Sequence, residues 1–297
     1  SVRSRSPGVR SGLPAFDAVT PMTDQSQRAR DFAALHQGPD LLVLPNPWDA
    51  GSARMLVHLG FKALATTSAG LAFSLGRRDA EGAVSCEEAL ANARAIVEAT
   101  PLPVAADLEN GYGDSPEACA ETLRLAAEAG LVGGSIEDAS GRPEAPIYDA
   151  GLALERIQAA VEAARALPFP FTLAARAENF LHGRPDLDDT LRRLVAYAEA
   201  GADVLYAPGL TTREQIAEVV AAVAPKPVNI LVGSPALALT LDELAALGVR
   251  RVSLGSNLAR VAYGAFFEAA RQLHGHDLSA AQQAMPFDRI NALFPAR

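Results

Sequence analysis

Residues 105–113 read Ala-Ala-Asp-Leu-Glu-Asn-Gly-Tyr-Gly, so Asp107 and Glu109 stand where an apolar run abruptly ends. Ser135-Ile-Glu-Asp138 repeats the device with Glu137 and Asp138. An apolar run that stops in carboxylates is how a buried strand delivers acids to the rim of a sheet. Four oxygen donors converging there suit a hard cation, Mg²⁺ or Mn²⁺, better than zinc, which favours nitrogen and sulfur. Acids at strand ends are also common as merely solvated groups. The elements that position them decide between the two readings.

Those elements show as a regular alternation. A helical pattern over residues 25–36 precedes an apolar run at 41–45. A helix over 50–59 closed by Gly60 leads to a strand at 62–67, and the phrase recurs three times: 117–129, Gly130, 132–136; 187–200, Gly201, 203–206; and 241–247, Gly248, 251–254. Each glycine stands where a helix end takes a left-handed residue. Further runs at 103–106, 171–175 and 228–232 bring the strands to eight. Eight strand–helix units in about 250 residues predict an α/β fold of the (β/α)8 barrel type. A doubly wound sheet would carry a glycine-rich phosphate turn after its first strand, whereas this strand ends Pro45-Asn-Pro-Trp-Asp49 and no G-x-G-x-x-G or Walker pattern occurs. Residues 22–297 read as one barrel domain with a C-terminal helical segment.

In such a barrel the residues closing each strand share one mouth. The first strand offers Asn46, Trp48 and Asp49. The second ends Thr66-Thr-Ser-Ala-Gly70, where backbone N–H groups at Thr67, Ser68 and Ala69 could hold a carboxylate or enolate oxygen. Leu75-Gly-Arg-Arg-Asp79 brings Asp79 within reach of a metal's water shell. Arg176, in Ala175-Arg176-Ala-Glu178, could clamp a substrate carboxylate in bidentate fashion, and the seventh strand supplies Asn229. Arginines and asparagines at loop entrances also serve simply to tie loops down. Convergence of all these groups favours a site.

These same stretches resemble the isocitrate lyase / phosphoenolpyruvate mutase superfamily over residues 41–273. The likeness rests on Ser52-Ala-Arg54, Thr67-Ser-Ala-Gly70 followed by Leu75-Gly-Arg-Arg-Asp79, Asp107-Leu-Glu-Asn-Gly-Tyr-Gly113, Ile136-Glu-Asp138 and Ala175-Arg176-Ala-Glu178, in that order. The resemblance implies a barrel whose eighth helix is exchanged between subunits of a homodimer or homotetramer. It also implies Mg²⁺-assisted chemistry on small 2-oxo or 2-hydroxy acids through an enolate-like intermediate. Carried over by position, Asp107, Glu109 and Glu137 are the metal carboxylates, with Asp107 principal and Asp79 acting largely through water. Asp79, Glu109 and Arg176 become the catalytic set. Thr67, Ser68, Ala69, Asp107, Arg176 and Asn229 become the substrate-binding set. Glu109 replaces an aspartate found in many relatives.

Departures from the family pattern narrow the chemistry. The isocitrate and methylisocitrate lyases carry a Lys-Arg/Lys-Cys-Gly-His loop whose cysteine is the acid/base. Here the corresponding loop, 139–147, reads Ala-Ser-Gly-Arg-Pro-Glu-Ala-Pro-Ile. Cys86 and Cys119 lie in helical sequence and are expected to be elsewhere. The phosphonate-handling branch typically has an asparagine in this loop and a histidine near the end of the sixth strand, where this chain has Tyr206-Ala-Pro-Gly209. The expectation is a carbon–carbon lyase or decarboxylase without the cysteine acid. Its proton donor is left open among Ser140, Tyr112, Tyr206 and water, and loop 139–147 serves as a lid. A phosphonopyruvate or phosphoenolpyruvate mutase or hydrolase, and a non-catalytic 2-oxo-acid binding protein, are the alternatives.

Composition bounds the rest. At 297 residues and 49% hydrophobic content the chain can bury a full core, and its net charge of -9 disfavours nucleic acid and anionic membranes as partners. Two cysteines give no disulfide framework, which points to a reducing, cytoplasmic setting. Residues 1–21 carry Arg3, Arg5 and Arg10 among Ser, Gly and Pro, with no acid before Asp17. They read as a disordered extension ahead of a natural start at Met22 rather than as part of the fold.

Overall fold

Residues 24–80 and 82–295 are described by a computed structural model, so the reading of residues 1–21 falls outside them. The strands are β1 (Leu42–Leu44), β2 (Leu64–Ala65), β3 (Val104–Asp107), β4 (Gly133–Glu137), β5 (Thr172–Arg176), β6 (Val204–Tyr206), β7 (Val228–Leu231) and β8 (Arg251–Ser253). The helices before and between them are α1 (Gln25–Leu35), α2 (Ala50–His58), α3 (Ser68–Ser74), α4 (Cys86–Glu98), α5 (Pro116–Glu128), α6 (Ala150–Arg165), α7 (Leu187–Ala200), α8 (Arg213–Val223) and α9 (Leu241–Ala246). Two more helices, α10 (Asn257–His274) and α11 (Phe287–Asn291), follow β8.

All strand pairs are parallel, in the order β1-β8-β7-β6-β5-β4-β3-β2. The seam between β1 and β2 is narrowed by the Ala65 N–H, which donates to the Pro45 carbonyl at 3.1 Å. The result is the (β/α)8 barrel read from the sequence. Its strands are short and apolar on both faces because the barrel interior and the helical ring each bury one side. Leu64, Leu173, Val204, Leu205 and Val252 are fully buried.

Helix punctuation follows local chemistry. Asp49 with Ser52, Ser85 with Glu88, Thr212 with Gln215 and Thr240 with Glu243 form reciprocal capping boxes that satisfy the free N–H groups of α2, α4, α8 and α9. Asp49, a candidate mouth residue, is therefore committed to its helix. Gly201 closes α7 at φ 109°, and Gly60, Gly130 and Gly248 are likewise left-handed, as the helix–glycine–strand phrase predicts. One difference concerns the second strand's end: Thr67 caps Gly70, so the small residues expected as an open donor loop begin α3.

Behind the mouth, Arg156 of α6 is almost fully buried. Its guanidinium donates to the carbonyls of Gly113, Asp114 and Asn110 and stacks over the Tyr148 ring at 4.2 Å. This fixes the loop after β3 that carries Glu109. Helix α10 is different. Its first turn is anchored, with Asn257 donating to the Val232 carbonyl and Ala259 buried, but residues 260–268 are exposed on every face of the helix.

Replacing Arg156 by Met should leave three backbone carbonyls without their charged donor. Urea unfolding should then show a loss of about 2–4 kcal/mol, with the mutant still folded at low denaturant.

Candidate active site

Arg176, the last residue of β5, organises the mouth. Its Nε donates to Glu178 Oε1 at 2.8 Å, one terminal nitrogen meets Asp107 Oδ1 at 3.2 Å, and the other meets Glu137 Oε2 at 3.1 Å and Glu178 Oε1 at 2.8 Å. The register explains the grouping. Glu137 lies directly beside Arg176 across β4–β5, and Tyr206 beside it across β5–β6, with the guanidinium 4.9 Å above the tyrosine ring. Only 12% of the Arg176 side chain is exposed. Burial alone would weaken its hold on the proton, but Glu178, Glu137 and Asp107 outweigh that and hold it well above the ordinary value. Most of its five-donor fork is spent on protein carboxylates, so it anchors the acidic cluster.

Asp107 is held from both sides. Its Oδ2 accepts from the Ser68 hydroxyl at 2.6 Å and the Ser68 N–H at 3.2 Å, and its Oδ1 accepts from the Glu109 N–H and from Arg176, both at 3.2 Å. It lies at the floor of the mouth, where it also lines an interior barrel cavity of about 60 Å³. Above it opens a cleft of about 820 Å³ whose wall includes Ser68, Asp79, Glu109, Glu137, Arg176 and His182.

The cleft carboxylates repel one another. Burial, then the charges of Asp107 and Asp79, push Glu109 up to about 7. Burial also raises Asp79, opposed by the Ala80 N–H and reinforced by Asp107. For Glu137 burial prevails over the adjacent Arg176 and lifts the carboxyl well above the usual range, with Glu178, Asp107 and Glu109 adding to it. Glu178 goes the other way: burial would raise it, but Arg176 and His182 hold it below its ordinary value.

Backbone strain is concentrated here. Glu109 and Tyr112 adopt left-handed φ of 48° and 58°, a conformation non-glycine residues hold only when their surroundings over-determine it. Between them Gly111, φ 78°, passes so close to Cys119 that a β-carbon would lie 2.9 Å from its sulfur. The Tyr112 hydroxyl is buried without a hydrogen-bond partner. Across the cleft, loop 139–147 is a small hairpin closed by an Ala139–Ile147 bridge. Arg142 pins it to Asp114 at 2.9 Å, and the Tyr148 hydroxyl donates to the same carboxylate at 2.7 Å.

Of the residues singled out in the sequence, Asp79, Ser68, Glu109, Glu137 and Arg176 line one cleft, with Asp107 beneath them. Thr67 is buried under the floor, and Ala69 is half-buried and lines no part of the cleft. Three expectations are corrected. Asp138 turns away from the mouth: it is buried and accepts from the Glu178 N–H, Arg193 and the Tyr197 hydroxyl at 2.8, 3.0 and 2.8 Å. Asn229 is completely buried inside the barrel, donating to Ser253 and accepting from Arg251, and does not line the cleft. Cys86, expected elsewhere, stands at the start of α4 on the cleft wall, though burial raises its thiol and keeps it protonated. Glu178 and His182 also line the cleft; both lie in the turn after β5, where no periodic pattern marks a side chain's direction.

Among the described residues no three carboxylate, imidazole or thiolate groups enclose a metal by themselves. The donor set nevertheless fits a hard divalent ion that keeps several waters. It is oxygen-only, and three of its carboxylates are held back from ionising by burial and by one another.

The raised Glu109 has a consequence for stability without added cations. A carboxyl that is more basic folded than unfolded favours the fold at low pH, and that contribution falls away as pH rises from about 4.5 through about 7. Chelator-treated protein should therefore melt lower at pH 8 than at pH 5.5. Glu109→Gln should raise the pH 8 midpoint by on the order of 3 °C and flatten the profile; a thermal-shift series across pH checks both.

Comparison with known proteins agrees with this architecture. Residues 32–274 match the family described as phosphoenolpyruvate phosphomutase. The chain is similar to a Burkholderia cenocepacia J2315 protein assigned only as a lyase or mutase, with 57% identity and a TM-score of 0.88 over 92% of this chain and 97% of that one. It is also similar in structure to a 2,3-dimethylmalate lyase, at 27% identity and TM-score 0.81 over 90% of this chain and 94% of the other. An oxaloacetate acetylhydrolase matches at 29% identity and TM-score 0.81, over 91% and 93%. The protein belongs to the phosphoenolpyruvate phosphomutase family, within the isocitrate lyase / phosphoenolpyruvate mutase superfamily of lyases and mutases.

Proposed function

We propose that the protein is a Mg²⁺-dependent carbon–carbon lyase or decarboxylase acting on a small 2-oxo or 2-hydroxy carboxylic acid through an enolate-like intermediate. The observation that carries this reading is the ring of Asp79, Asp107, Glu109 and Glu137 around Arg176 at the barrel mouth, an arrangement with excess negative charge and room for a small acid. The dimethylmalate and oxaloacetate named for two structural relatives are 2-hydroxy and 2-oxo diacids, which supports the substrate class. The short hairpin 139–147, lacking the asparagine typical of the phosphonate-handling branch, favours this over phosphonate chemistry.

Asp107, Glu109 and Glu137 would hold Mg²⁺, or Mn²⁺, with Asp79 reaching it through water. When bound, the ion would neutralise the cluster and draw the electron pair of the breaking carbon–carbon bond toward the substrate's 2-oxygen. The chain's own groups do the rest. Ser68 orients Asp107 through its hydroxyl and its N–H. Arg176 balances the carboxylates and offers charge to a substrate carboxylate. The hairpin held by Arg142 and Asp114 shields one side of the cleft from water.

The same reading extends to assembly as a homodimer or homotetramer through α10. Val261, Phe266 and Phe267 are each about 70% exposed, an unusual state for an apolar helix that should seal a barrel. A second copy that receives this helix would cover it.

With Mg²⁺ present, ¹³C NMR should show cleavage of oxaloacetate, isocitrate, methylisocitrate or another malate derivative. Asp107→Ala should abolish turnover, and Arg176→Ala should raise KM on the order of tenfold or more. Full activity of the Asp107 variant in chelator-treated buffer contradicts the metal assignment, and turnover confined to phosphonopyruvate, followed by ³¹P NMR, favours the mutase alternative. In sedimentation, the Phe266→Glu/Phe267→Glu double variant should run as a monomer while the parent does not; a monomeric parent contradicts the exchange.

A further inference from the structure

The cleavage proposed above leaves a carbanion that must receive a proton, and the hairpin beside the cleft lacks the cysteine that relatives use. We infer that His182 supplies this proton, an inference that rests on the lyase reading. His182 sits in the turn after β5, its N–H donating to the Glu178 carbonyl at 3.2 Å, and its ring lines the same cleft as Arg176 and Glu109. Among the described residues lining that cleft it is the only histidine.

A buried carboxylate fixes its position. Glu178 is only 1% exposed, and its Oε1 accepts from Arg176 while its Oε2 lies 3.4 Å from His182 Nε2. The Glu178 N–H in turn donates to the buried Asp138. One rigid carboxylate thus sets imidazole and guanidinium in fixed relation on the wall of one cleft. With Nε2 directed to Glu178, Nδ1 is the nitrogen left to serve the cleft.

The other candidates are less suited. The Tyr112 hydroxyl is buried beside carboxylates that strengthen its hold on the proton. The Ser140 hydroxyl donates to the Ala145 carbonyl. Tyr206 lies beneath Arg176, with burial raising its hydroxyl. His182 is 29% exposed and can be reprotonated from solvent. Its basicity is raised first by the bond to Glu178 and further by the charges of Glu178 and Asp138, against burial and Arg176; Ser140 and Gly141 of the facing hairpin are neutral.

For a 2-oxo diacid the step balances simply. The bond from carbon 3 to the departing carboxylate breaks, carbon dioxide leaves, and its electron pair remains as the enolate. Carbon 3 then takes the Nδ1 proton, giving the 2-oxo monoacid and a neutral imidazole. Water returns a proton to the ring, the hydroxide left behind is taken up by the released carbon dioxide as bicarbonate, and Glu178 stays ionised throughout.

The test uses the full-length Mg²⁺-loaded protein and whichever oxo acid the parent turns over. The parent's kcat should fall on an alkaline limb centred above pH 6.5, the ordinary histidine value. His182→Gln should lose that limb and drop kcat roughly 10²-fold or more with KM little changed. Imidazole added to His182→Ala should restore part of the rate. A His182→Gln variant that keeps the limb and the rate overturns the inference while leaving the lyase reading intact. So does one that raises KM alone, which would make His182 an anion binder. If the glutamine variant fails to fold, the parent's profile decides, and absence of the alkaline limb overturns the proposal. A parent inactive toward every acid overturns the lyase reading and this inference together.

Discussion

Everything at the mouth depends on one guanidinium among acids. Arg176 touches Asp107, Glu137 and Glu178. A buried cation with several carboxylate partners is costly to assemble and costlier to break, because removing it leaves like charges facing one another with little water between them. That balance is incomplete. Glu109 and Asp79 have no ion pair with Arg176 and are pushed toward the protonated state. The cluster is therefore poised to accept positive charge, and the fold holds it there with atoms outside the cluster.

Those supporting atoms form a second layer behind the strand ends. Asp138 gathers Arg193, Tyr197 and the Glu178 N–H; Arg156 gathers three carbonyls of the loop after β3; Asn46 bridges the Thr66 carbonyl and the Leu254 N–H across the ends of β2 and β8. Each ties the end of one strand to another element. Side chains facing the cleft gain fixed directions this way, without relying on mobile loops. The left-handed backbone at Glu109 and Tyr112 persists because this layer over-determines it.

The fold was largely legible in the chain, because helix, glycine and strand recur with a period that only a barrel of eight units satisfies. Asp107, Glu137 and Arg176 were legible as residues of the mouth for the same reason: each ends a strand, and strand ends share that face. Asp138 misled because adjacent strand residues point to opposite faces, so Glu137 and Asp138 could not both look inward. Asn229 misled because its amide is spent inside the barrel on Ser253 and Arg251, contacts that no sequence pattern reports. Cys86, Glu178 and His182 reach the cleft through turns and helix starts, where neither a period of 2 nor one of 3.6 reports direction. Their placement comes from tertiary contacts, such as the bond from Glu178 to Asp138 40 residues away.

On the proposed function, the cluster around Arg176 binds a hard cation together with a small planar dianion. A crystal structure of the protein grown with Mg²⁺ and oxalate, a stable mimic of the enolate, tests it most directly. The ion is expected among Asp107, Glu109 and Glu137, partly through water, with oxalate bound to it between Ser68 and Arg176. Oxalate and Mg²⁺ absent from the mouth at saturating concentration, or bound away from Asp107, would contradict it.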